Sequence, residues 1–366
     1  MTTPTTIRKI ELPPAGPQEA VATAFPTIFT WDYEIRHAEL MRLYEKGKTM
    51  QWNAATDIDW SIDVDPERED IDTDTLNAVL QYPQPIDTHM RGRMNHHFNA
   101  WMLSQFLHGE QGALLATAAI VDTVPWTEAK FYAANQVADE ARHVEVYRRY
   151  LTEKLGLSYP VNRHLHTLLS QIISESRWDM IYLGMQIMVE GLALAAFGLM
   201  RFTAAYEPLI QQITSYVMRD EARHVAFGVL SLQDLYTKEM SSTELKEREE
   251  LVIESTVLMR DRLLMEEVWP RLGLDPKIWM PWSLSTPFMV GFRQMLFSKI
   301  VPNLKRLGLL TPRVRAKFAE LNILEFESLP DSTTDEDTAM PPALATFFAR
   351  LEASGVQFPW TISAAS

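Results

Sequence analysis

Apolar residues recur at helical spacing along most of the chain, whereas the strict alternation typical of strands is scarce. Pro125 and Pro208 stand where the first turn of a helix tolerates proline, and Ser241 and Glu244 form a capping box. The stretch 269–287 carries four prolines and is predicted to be a loop. Helices are predicted at about residues 30–48, 88–120, 125–154, 164–202, 208–238, 241–267, 288–306, 312–321 and 343–351.

The same pattern predicts how the chain is divided. Residues 1–25 are rich in Pro and Thr, lack the apolar run of a secretory signal, and are predicted to form a flexible N-terminal arm. Residues 26–320 are predicted to form one all-α domain with its core at 88–240, and residues 321–366 to form an extension that packs on it. The acidic stretch 67–85 is predicted to be a linker with a short helix.

A repeated hexapeptide is the most informative feature of the chain. Asp-Glu-Ala-Arg-His-Val occurs twice, once from position 139 and once from position 220. Each copy contains Glu-x-x-His: Glu140 with His143, and Glu221 with His224. Residues three apart lie on one face of a helix, so each pair points in one direction. Two such pairs provide four of the six ligands of a two-metal site in a helical bundle.

Each copy also has an acidic partner upstream. Glu110 precedes Glu140, and Glu190 precedes Glu221, at nearly the same spacing. The helical faces around Glu110 and Glu190 are apolar, so both carboxylates would be buried at a high cost unless something compensates their charge. Four carboxylates carry −4 and two divalent ions carry +4, so metal coordination balances the charge of these four acids.

Composition narrows the chemistry further. Net charge is −14, and the basic stretches are too sparse for a nucleic-acid surface. The chain has no cysteine, which excludes disulfides, thiol catalysis and thiolate metal sites. Residues 181–200 carry Glu190 as their single charge and are long enough to span a bilayer. Because the repeat needs Glu190 as a ligand, we expect a buried helix of a cytoplasmic protein here and no membrane contact.

The ligand types indicate which metals would bind. Oxygen and imidazole donors without sulfur suit iron or manganese. Asp139 and Asp220 directly precede the two Glu-x-x-His glutamates, and we expect them to accept hydrogen bonds from the imidazole N–H groups. Arg142 and Arg223 are expected to bond the carboxylates from outside, with ordinary surface ion pairs as the alternative.

These residues resemble the ligand set of the ferritin-like di-iron oxidase and oxygenase superfamily, over roughly residues 88–240. The resemblance implies a ferritin-like four-helix bundle core with additional N- and C-terminal helices, two iron ions and O2 as co-substrate. The stretch 220–228 looks most like the N-oxygenase branch, which contains para-aminobenzoate N-oxygenase and azoxy-forming oxygenases of natural-product biosynthesis. Para-aminobenzoate N-oxygenase has a seventh ligand, a His one turn before its last glutamate, and Val217 stands at that position here.

Tyr147 lies four residues after His143 on the same helical face. Ribonucleotide reductase small subunits, another branch of this superfamily, carry their radical tyrosine at that offset. Residues 358–366 contain no tyrosine, so no radical-transfer tail is evident. We therefore expect Tyr147 to be a pocket residue beside the metal cofactor.

A substrate pocket is expected between the Glu110 and Glu190 helices, where small residues repeat at helical spacing. Its predicted lining residues, for which core packing is the alternative role, are Ala113, Thr117, Gln186, Ala193 and Phe197.

The predicted function is oxidation of a small organic molecule by O2 at two irons, with manganese as an alternative metal. Oxygenation at nitrogen of an amine, hydroxylamine or hydrazine is the first choice. C–H hydroxylation or desaturation is the second, and a radical-generating subunit or a ferroxidase represents a different class. No flavin or nicotinamide motif is visible, so we expect an external ferredoxin or reductase as electron donor. A homodimer is also expected.

Overall fold

The computed structural model describes residues 18–68, 79–203, 207–334 and 342–353. Within these residues all regular structure is helical, which confirms the all-α prediction. Their α-helices are α1 (Ala38–Thr49), α2 (Thr88–Thr123), α3 (Thr127–Tyr150), α4 (Arg163–Ser174), α5 (Trp178–Tyr182), α6 (Glu190–Thr203), α7 (Pro208–Asp234), α8 (Ser242–Asp261), α9 (Val268–Leu272), α10 (Pro276–Ser285), α11 (Pro287–Met295), α12 (Ile300–Arg306), α13 (Pro312–Glu320) and α14 (Pro342–Ala353).

Four long helical segments form the core of the molecule. Helix α2 packs along α3, the continuous segment that contains α5 and α6 packs along α7, and α3 contacts α7 across the bundle. Large side chains such as Phe197 and Phe227 are fully buried between them. The predicted four-helix bundle core is confirmed, and its arrangement of one acid on each of two helices and Glu-x-x-His on each of the others is ferritin-like.

Capping residues set where the core helices begin. The Asp87 side chain accepts a hydrogen bond from the backbone N–H of Met90, and the Glu207 side chain accepts from the first turn of α7, which starts at Pro208. These bonds satisfy N–H groups that the helix itself leaves free. The capping box of Ser241 with Glu244 is present at the start of α8.

The first helix begins later than predicted. Ala38–Thr49 is helical, but residues 30–37 are not. The backbone N–H groups of Arg36 and His37 are bonded to the Glu128 carboxylate, the latter at 2.9 Å, so a side chain of α3 takes the donors that a helix would use. Residues 36 and 37 are therefore held against α3 in a non-helical conformation.

The predicted helix at 164–202 is interrupted between Ser174 and Trp178. The Glu175 carboxylate accepts hydrogen bonds from the backbone N–H groups of the next two residues at 2.8 and 2.9 Å. An acidic side chain that bonds nearby backbone competes with the helix and favours a break.

The predictions for the C-terminal part also needed correction. The predicted loop at 269–287 contains the helices α9 and α10, because Pro276 occupies a first turn that needs no proline N–H. The predicted helix at 288–306 is divided into α11 and α12, and the one at 241–267 ends at Asp261 in a 3₁₀ turn, Arg262–Leu264.

Three core segments contain wider π-helical turns, which sequence periodicity does not reveal. Leu151–Leu155 and Leu235–Glu239 terminate the α3 and α7 segments, and Leu183–Val189 immediately precedes Glu190. A π turn inserts a residue into the helix and rotates the side chains that follow, and such turns are frequent at functional sites. It therefore sets the direction in which Glu190 points.

One helix within the described residues is long and apolar enough to cross a membrane, the composite segment Trp178–Arg201. Its most apolar window is 83% buried inside the protein. A central helix of a bundle has the same length and composition, as predicted for this stretch.

The two ends of the chain are described in part. Residues 1–17 and 354–366 lie outside the described residues, as does most of the predicted linker at 67–85. In the C-terminal extension, α14 packs on α11, and the ring centroids of Phe347 and Phe288 are 5.5 Å apart.

Candidate metal centre

Six side chains from four helical segments converge in the middle of the bundle. Each is buried, with at most 5% of its surface exposed. Helix α2 provides one carboxylate, the segment after the π turn provides another, and α3 and α7 each provide a carboxylate and an imidazole. The six residues are Glu110, Glu140, His143, Glu190, Glu221 and His224.

The potential ligand atoms fall into two overlapping groups. One atom each from Glu110, Glu140, His143 and Glu221 lie within 4.8 Å of one another. The Nδ1 atom of His143 is 3.2 Å from an oxygen of Glu110, 3.3 Å from one of Glu140 and 3.2 Å from one of Glu221. One nitrogen cannot bond three carboxylates at once, but a cation at this place can.

The second group consists of Glu140, Glu190 and His224, whose ligand atoms also lie within 4.8 Å of one another. The Nδ1 atom of His224 is 3.1 Å from Glu140 and 3.5 Å from Glu221. Glu140 belongs to both groups, and Glu221 lies close to both imidazoles. The arrangement therefore provides two adjacent positions that share carboxylates, as a two-metal site requires.

Several atoms of this cluster have no hydrogen-bond partner among the described residues. They include Oε2 of Glu140, Oε2 of Glu190, both carboxylate oxygens of Glu221 and Nδ1 of His224. Buried polar atoms left unbonded cost free energy, and native proteins contain few of them. Their concentration at one place, all of them oxygen or imidazole donors, fits the coordination of divalent metal ions.

Outside this cluster, the two aspartates are paired crosswise. His143 Nε2 lies 3.2 Å from Asp220, which belongs to the other repeat copy, and His224 Nε2 lies 3.2 Å from Asp139. A carboxylate oxygen accepts hydrogen bonds, so each imidazole donates from Nε2 and directs Nδ1 to the cluster. The two repeat copies therefore orient each other's histidines.

The two arginines bond these aspartates and not the central glutamates. Arg142 is paired with Asp139, and its guanidinium lies 3.7 Å from Asp220. Arg223 is paired with Asp220 and lies 3.6 Å from Asp139. This buried network holds both aspartates in position beside the imidazoles.

Donors from outside the repeat complete the network, and sequence reasoning did not identify them. Trp52 Nε1 donates to Asp220 at 2.7 Å, and Gln51 Nε2 donates to Asp139 at 3.0 Å. Asn135 donates to Asp139 at 3.2 Å. The only sequence signal for Asn135 is its position one helical turn before Asp139. Nothing in the sequence around Gln51 and Trp52 indicates that they bond the two aspartates.

Gln136 was also missed and lies directly against the cluster. Its Nε2 group donates at 2.9 Å to Glu140 and at 2.9 Å to Glu190, and the side chain is fully buried. Gln136 and Val217 occupy equivalent places in the two repeat copies, each four positions before the glutamate of its Glu-x-x-His. The two metal positions therefore have different surroundings, one with an amide and one with an apolar side chain.

The carboxyl groups differ in their tendency to hold protons. Burial raises the pKa of Glu110 and Glu190 well above the ordinary value, and repulsion from the Glu221 carboxylate raises both further. Burial acts in the same direction on Glu140, but the imidazole of His224 and other nearby donors lower its pKa below the ordinary range. Protons would therefore compete with metal ions at Glu110 and Glu190.

The imidazoles show the opposite tendency. Burial lowers the pKa of His143, but Glu110 and Asp220 raise it well above its ordinary value. For His224, burial is likewise outweighed by Glu140 and other carboxylates, so its pKa is also raised. Protons would therefore also compete with divalent ions at the two imidazoles.

Tyr147 lies beside this cluster in an aromatic group. Its ring centroid is 6.0 Å from that of Phe106 and 6.2 Å from that of Phe197, and the hydroxyl has no hydrogen-bond partner among the described residues. Burial and the charge of Glu110 raise the pKa of the Tyr147 hydroxyl well above its ordinary value, so it stays protonated.

A small cavity of about 20 Å³ adjoins the cluster between the helices of Glu110 and Glu190. Ala113 and Ala193, two of the five predicted pocket residues, line it. The other three, Thr117, Gln186 and Phe197, are not among its lining residues. Gln186 donates to Thr117 at 3.2 Å, and Phe197 packs on Phe106 with ring centroids 4.7 Å apart.

Comparison with known proteins does not assign this chain to a family. No protein-family model matches the sequence, and no curated protein matches it. The chain is similar in fold to a single-residue variant of an R2-like ligand-binding oxidase with an anaerobically reconstituted Mn/Fe cofactor, at 18% identity and a TM-score of 0.45, over 73% of this chain and 93% of the other.

Two further structures of R2-like ligand-binding oxidase show a similar degree of likeness. The one with an aerobically reconstituted Mn/Fe cofactor is 16% identical over 79% of this chain and 91% of its own, with a TM-score of 0.41. The one described after photoconversion is 16% identical over 86% and 92%, with a TM-score of 0.39. These likenesses concern the general helical fold, and the chemistry of this chain rests on its own side chains.

Proposed function

We propose that this protein is an O2-dependent oxidoreductase that uses two metal ions to oxidise a small organic molecule. The observation that carries the proposal is the convergence of four buried carboxylates and two imidazoles with several unbonded donor atoms. Two divalent ions would balance the charge of the four carboxylates. The six residues proposed to hold the metals are Glu110, Glu140, His143, Glu190, Glu221 and His224.

Iron is the proposed metal in both positions, with manganese in one of them as the alternative, because the donors are oxygen and imidazole only. When bound, the reduced metal pair supplies electrons that activate O2. The protein's own residues orient the donors: Asp139 and Asp220 fix the imidazole rings, and Gln136 fixes the glutamates that accept its amide hydrogens. The buried position of the cluster excludes bulk water from the reaction.

The proposed reaction is oxygenation at nitrogen of an amine, hydroxylamine or hydrazine. The resemblance of residues 220–228 to the N-oxygenase branch supports this choice. One atom of O2 enters the substrate and the other leaves as water, so each turnover needs two further electrons and two protons. We propose that an external ferredoxin or reductase provides the electrons, and that the protein works as a cytoplasmic homodimer.

The proposal is tested first by metal content. Purified protein grown with iron is expected to contain close to two irons per chain, and Glu140→Ala and His224→Ala should each reduce that content and O2 consumption. Glu39 is an exposed acid on helix α1 outside the cluster, so Glu39→Ala is the matched control for Glu140→Ala. Full iron loading and unchanged O2 consumption in both site variants would refute the assignment.

The nitrogen assignment is tested by mass spectrometry with labelled O2 and a panel of amines, hydroxylamines and hydrazines. One labelled atom in the product is expected. If no nitrogen compound gains oxygen but a hydrocarbon or acyl chain is hydroxylated or desaturated, C–H oxidation is the correct function.

A radical-generating subunit is distinguished by Tyr147. We expect no stable tyrosyl signal in electron paramagnetic resonance after exposure of the reduced protein to O2. A signal that disappears in Tyr147→Phe would establish the radical function instead.

A further inference from the structure

Arg262 is a buried cation in the wall of the small cavity beside the metal cluster. It lies where α8 ends in a 3₁₀ turn, and 5% of its surface is exposed. The same cavity is lined by Glu110, Glu190 and Glu221. Among the described residues, Arg262 is therefore the one positively charged side chain that lines this cavity.

No described residue forms a hydrogen bond or ion pair with the Arg262 side chain, and its Nε group is buried without a partner. The acids nearest to it in sequence are engaged elsewhere. Asp261 bonds Arg260 at 2.6 Å, Glu266 bonds Arg163 at 2.7 Å, and Glu267 accepts from Trp101 at 3.0 Å.

A buried guanidinium without a hydrogen-bond or ion-pair partner lowers the stability of the folded protein. Burial lowers the pKa of Arg262 to about 10, and no neighbouring carboxylate raises it again. The group still carries its charge at neutral pH. Buried arginines elsewhere in this protein have partners: Arg248, on the preceding helix α8, bonds Asp179 at 2.7 and 2.9 Å. Since strain and unpaired charge concentrate at functional sites, a role in ligand binding accounts for the exception.

The charge balance of the cavity defines the ligand. With two divalent ions bound, the four glutamates of the cluster are neutralised, and Arg262 leaves one uncompensated positive charge in the wall. A ligand with a single negative charge restores neutrality. A planar carboxylate also matches the fork of a guanidinium, which can donate two parallel hydrogen bonds.

We infer that Arg262 binds the carboxylate of a small, singly charged organic acid, which is the substrate of this protein. The inference rests on the proposed function and adds the substrate class to it. Phe106, Ala113 and Val189 also line the cavity and provide apolar surface for the body of the molecule. The volume of about 20 Å³ holds one group of water size, so the lining side chains must move apart to admit a carboxylate.

Open space adjoins the small cavity at Gly109. This half-buried residue lines the cavity, and a Cβ atom added there would meet no atom within 4 Å. The longer part of a substrate can therefore extend past Gly109.

The inference is tested by calorimetric titration of anaerobic, Mn²⁺-loaded protein with hexanoate and with hexanamide, which has nearly the same shape but no charge. Hexanoate is expected to bind roughly 10- to 100-fold more tightly, as for hydrogen bonds to a charged group. Arg262→Met should abolish this preference, and Arg262→Lys should retain part of it because the charge remains without the fork.

Thermal unfolding of the same samples separates ligand binding from a structural role. Arg262→Met removes an unpaired buried charge and should leave the melting temperature of the ligand-free protein unchanged or higher. Arg248→Met is the matched control, which should lower the melting temperature and keep the preference for hexanoate. A lower melting temperature in Arg262→Met would indicate a structural arginine and overturn the inference.

Two further outcomes are distinguishable. Equal affinities for acid and amide in fully loaded wild-type protein, or an unchanged preference in Arg262→Met, would overturn the inference and leave the metal assignment intact. Failure of the wild-type protein to load Mn²⁺ or iron would overturn the proposed function and this inference together.

Discussion

Replacing Asp220 with Asn tests whether the crosswise aspartates hold the imidazoles of the metal cluster. Asp220 accepts from Trp52 at 2.7 Å, lies 3.2 Å from His143 Nε2, and is paired with Arg223. The substitution preserves the shape of the side chain and removes the negative charge that these three donors share.

The expected loss follows from burial and charge. Asp220 is 1% exposed, so water cannot replace the lost interaction. Hydrogen-bond partners of metal-bound histidines typically change metal affinity by about 10- to 100-fold, which corresponds to about 1.4–2.8 kcal/mol. We expect Asp220→Asn to weaken binding of one Mn²⁺ equivalent by this factor, and Asp139→Asn to weaken the other because Asp139 lies 3.2 Å from His224 Nε2.

The assay is an anaerobic Mn²⁺ titration monitored by calorimetry. The binding free energies of single and double variants are then compared in a double-mutant cycle. His143→Ala and Asp220→Asn should be strongly non-additive, because the first change removes the group that the second orients. His143→Ala and Asp139→Asn should be coupled more weakly, because Asp139 lies against the other imidazole and reaches His143 only through the shared arginines. The crosswise pairing thus has a signature that simple loss of stability would not produce.

Equal coupling of both aspartates to His143 would refute the pairing. So would an unchanged Mn²⁺ affinity in Asp220→Asn, since it would mean that the aspartate does not act through the imidazole.

Three further predictions concern the cluster and its surroundings. Mn²⁺ affinity should fall as the pH is lowered from about 8 to about 6, because the buried imidazoles and two glutamates have raised pKa values and bind protons that compete with metal. A Mn²⁺ titration at several pH values measures this, and a pH-independent affinity would contradict it. Arg248→Met should lower the free energy of unfolding by about 3–5 kcal/mol in urea, because Asp179 stays buried without its partner. Ala193→Phe should block turnover at full metal content, because Ala193 lines the small cavity beside the cluster; normal turnover would place the substrate elsewhere.

Local periodicity was sufficient to predict much of the fold. The 3.6-residue pattern and the turn residues located the four core segments, because a helix is determined by neighbours three and four positions apart. The errors lie where a side chain distant in sequence intervenes. Glu128 bonds the backbone of residues 36 and 37, some 92 and 91 positions away, and so delays the first helix.

The repeat explains why the central residues could be identified and their surroundings could not. Alignment of the two copies relates Phe106 to Gln186, Gln136 to Val217 and Tyr147 to Gly228. The two halves diverge at these places, and the divergence has a structural basis. A Cβ atom at Gly228 would lie 2.7 Å from that of Gln186, so the glycine lets that helix approach closely.

The sequence by itself determined which six residues face the centre of the bundle. Each Glu-x-x-His pair lies on one face of its helix, and Glu110 and Glu190 precede the two pairs at nearly equal spacing. Only the tertiary structure decided their partners. The crosswise bonds to Asp139 and Asp220 join residues 85 and 77 positions apart, and the bonds of Gln136 to Glu190 and of Trp52 to Asp220 span 54 and 168 positions. Contacts between residues that far apart cannot be predicted from the local pattern of a single sequence. For the same reason, the sequence does not show that Arg262, among the described residues, lacks a side-chain partner.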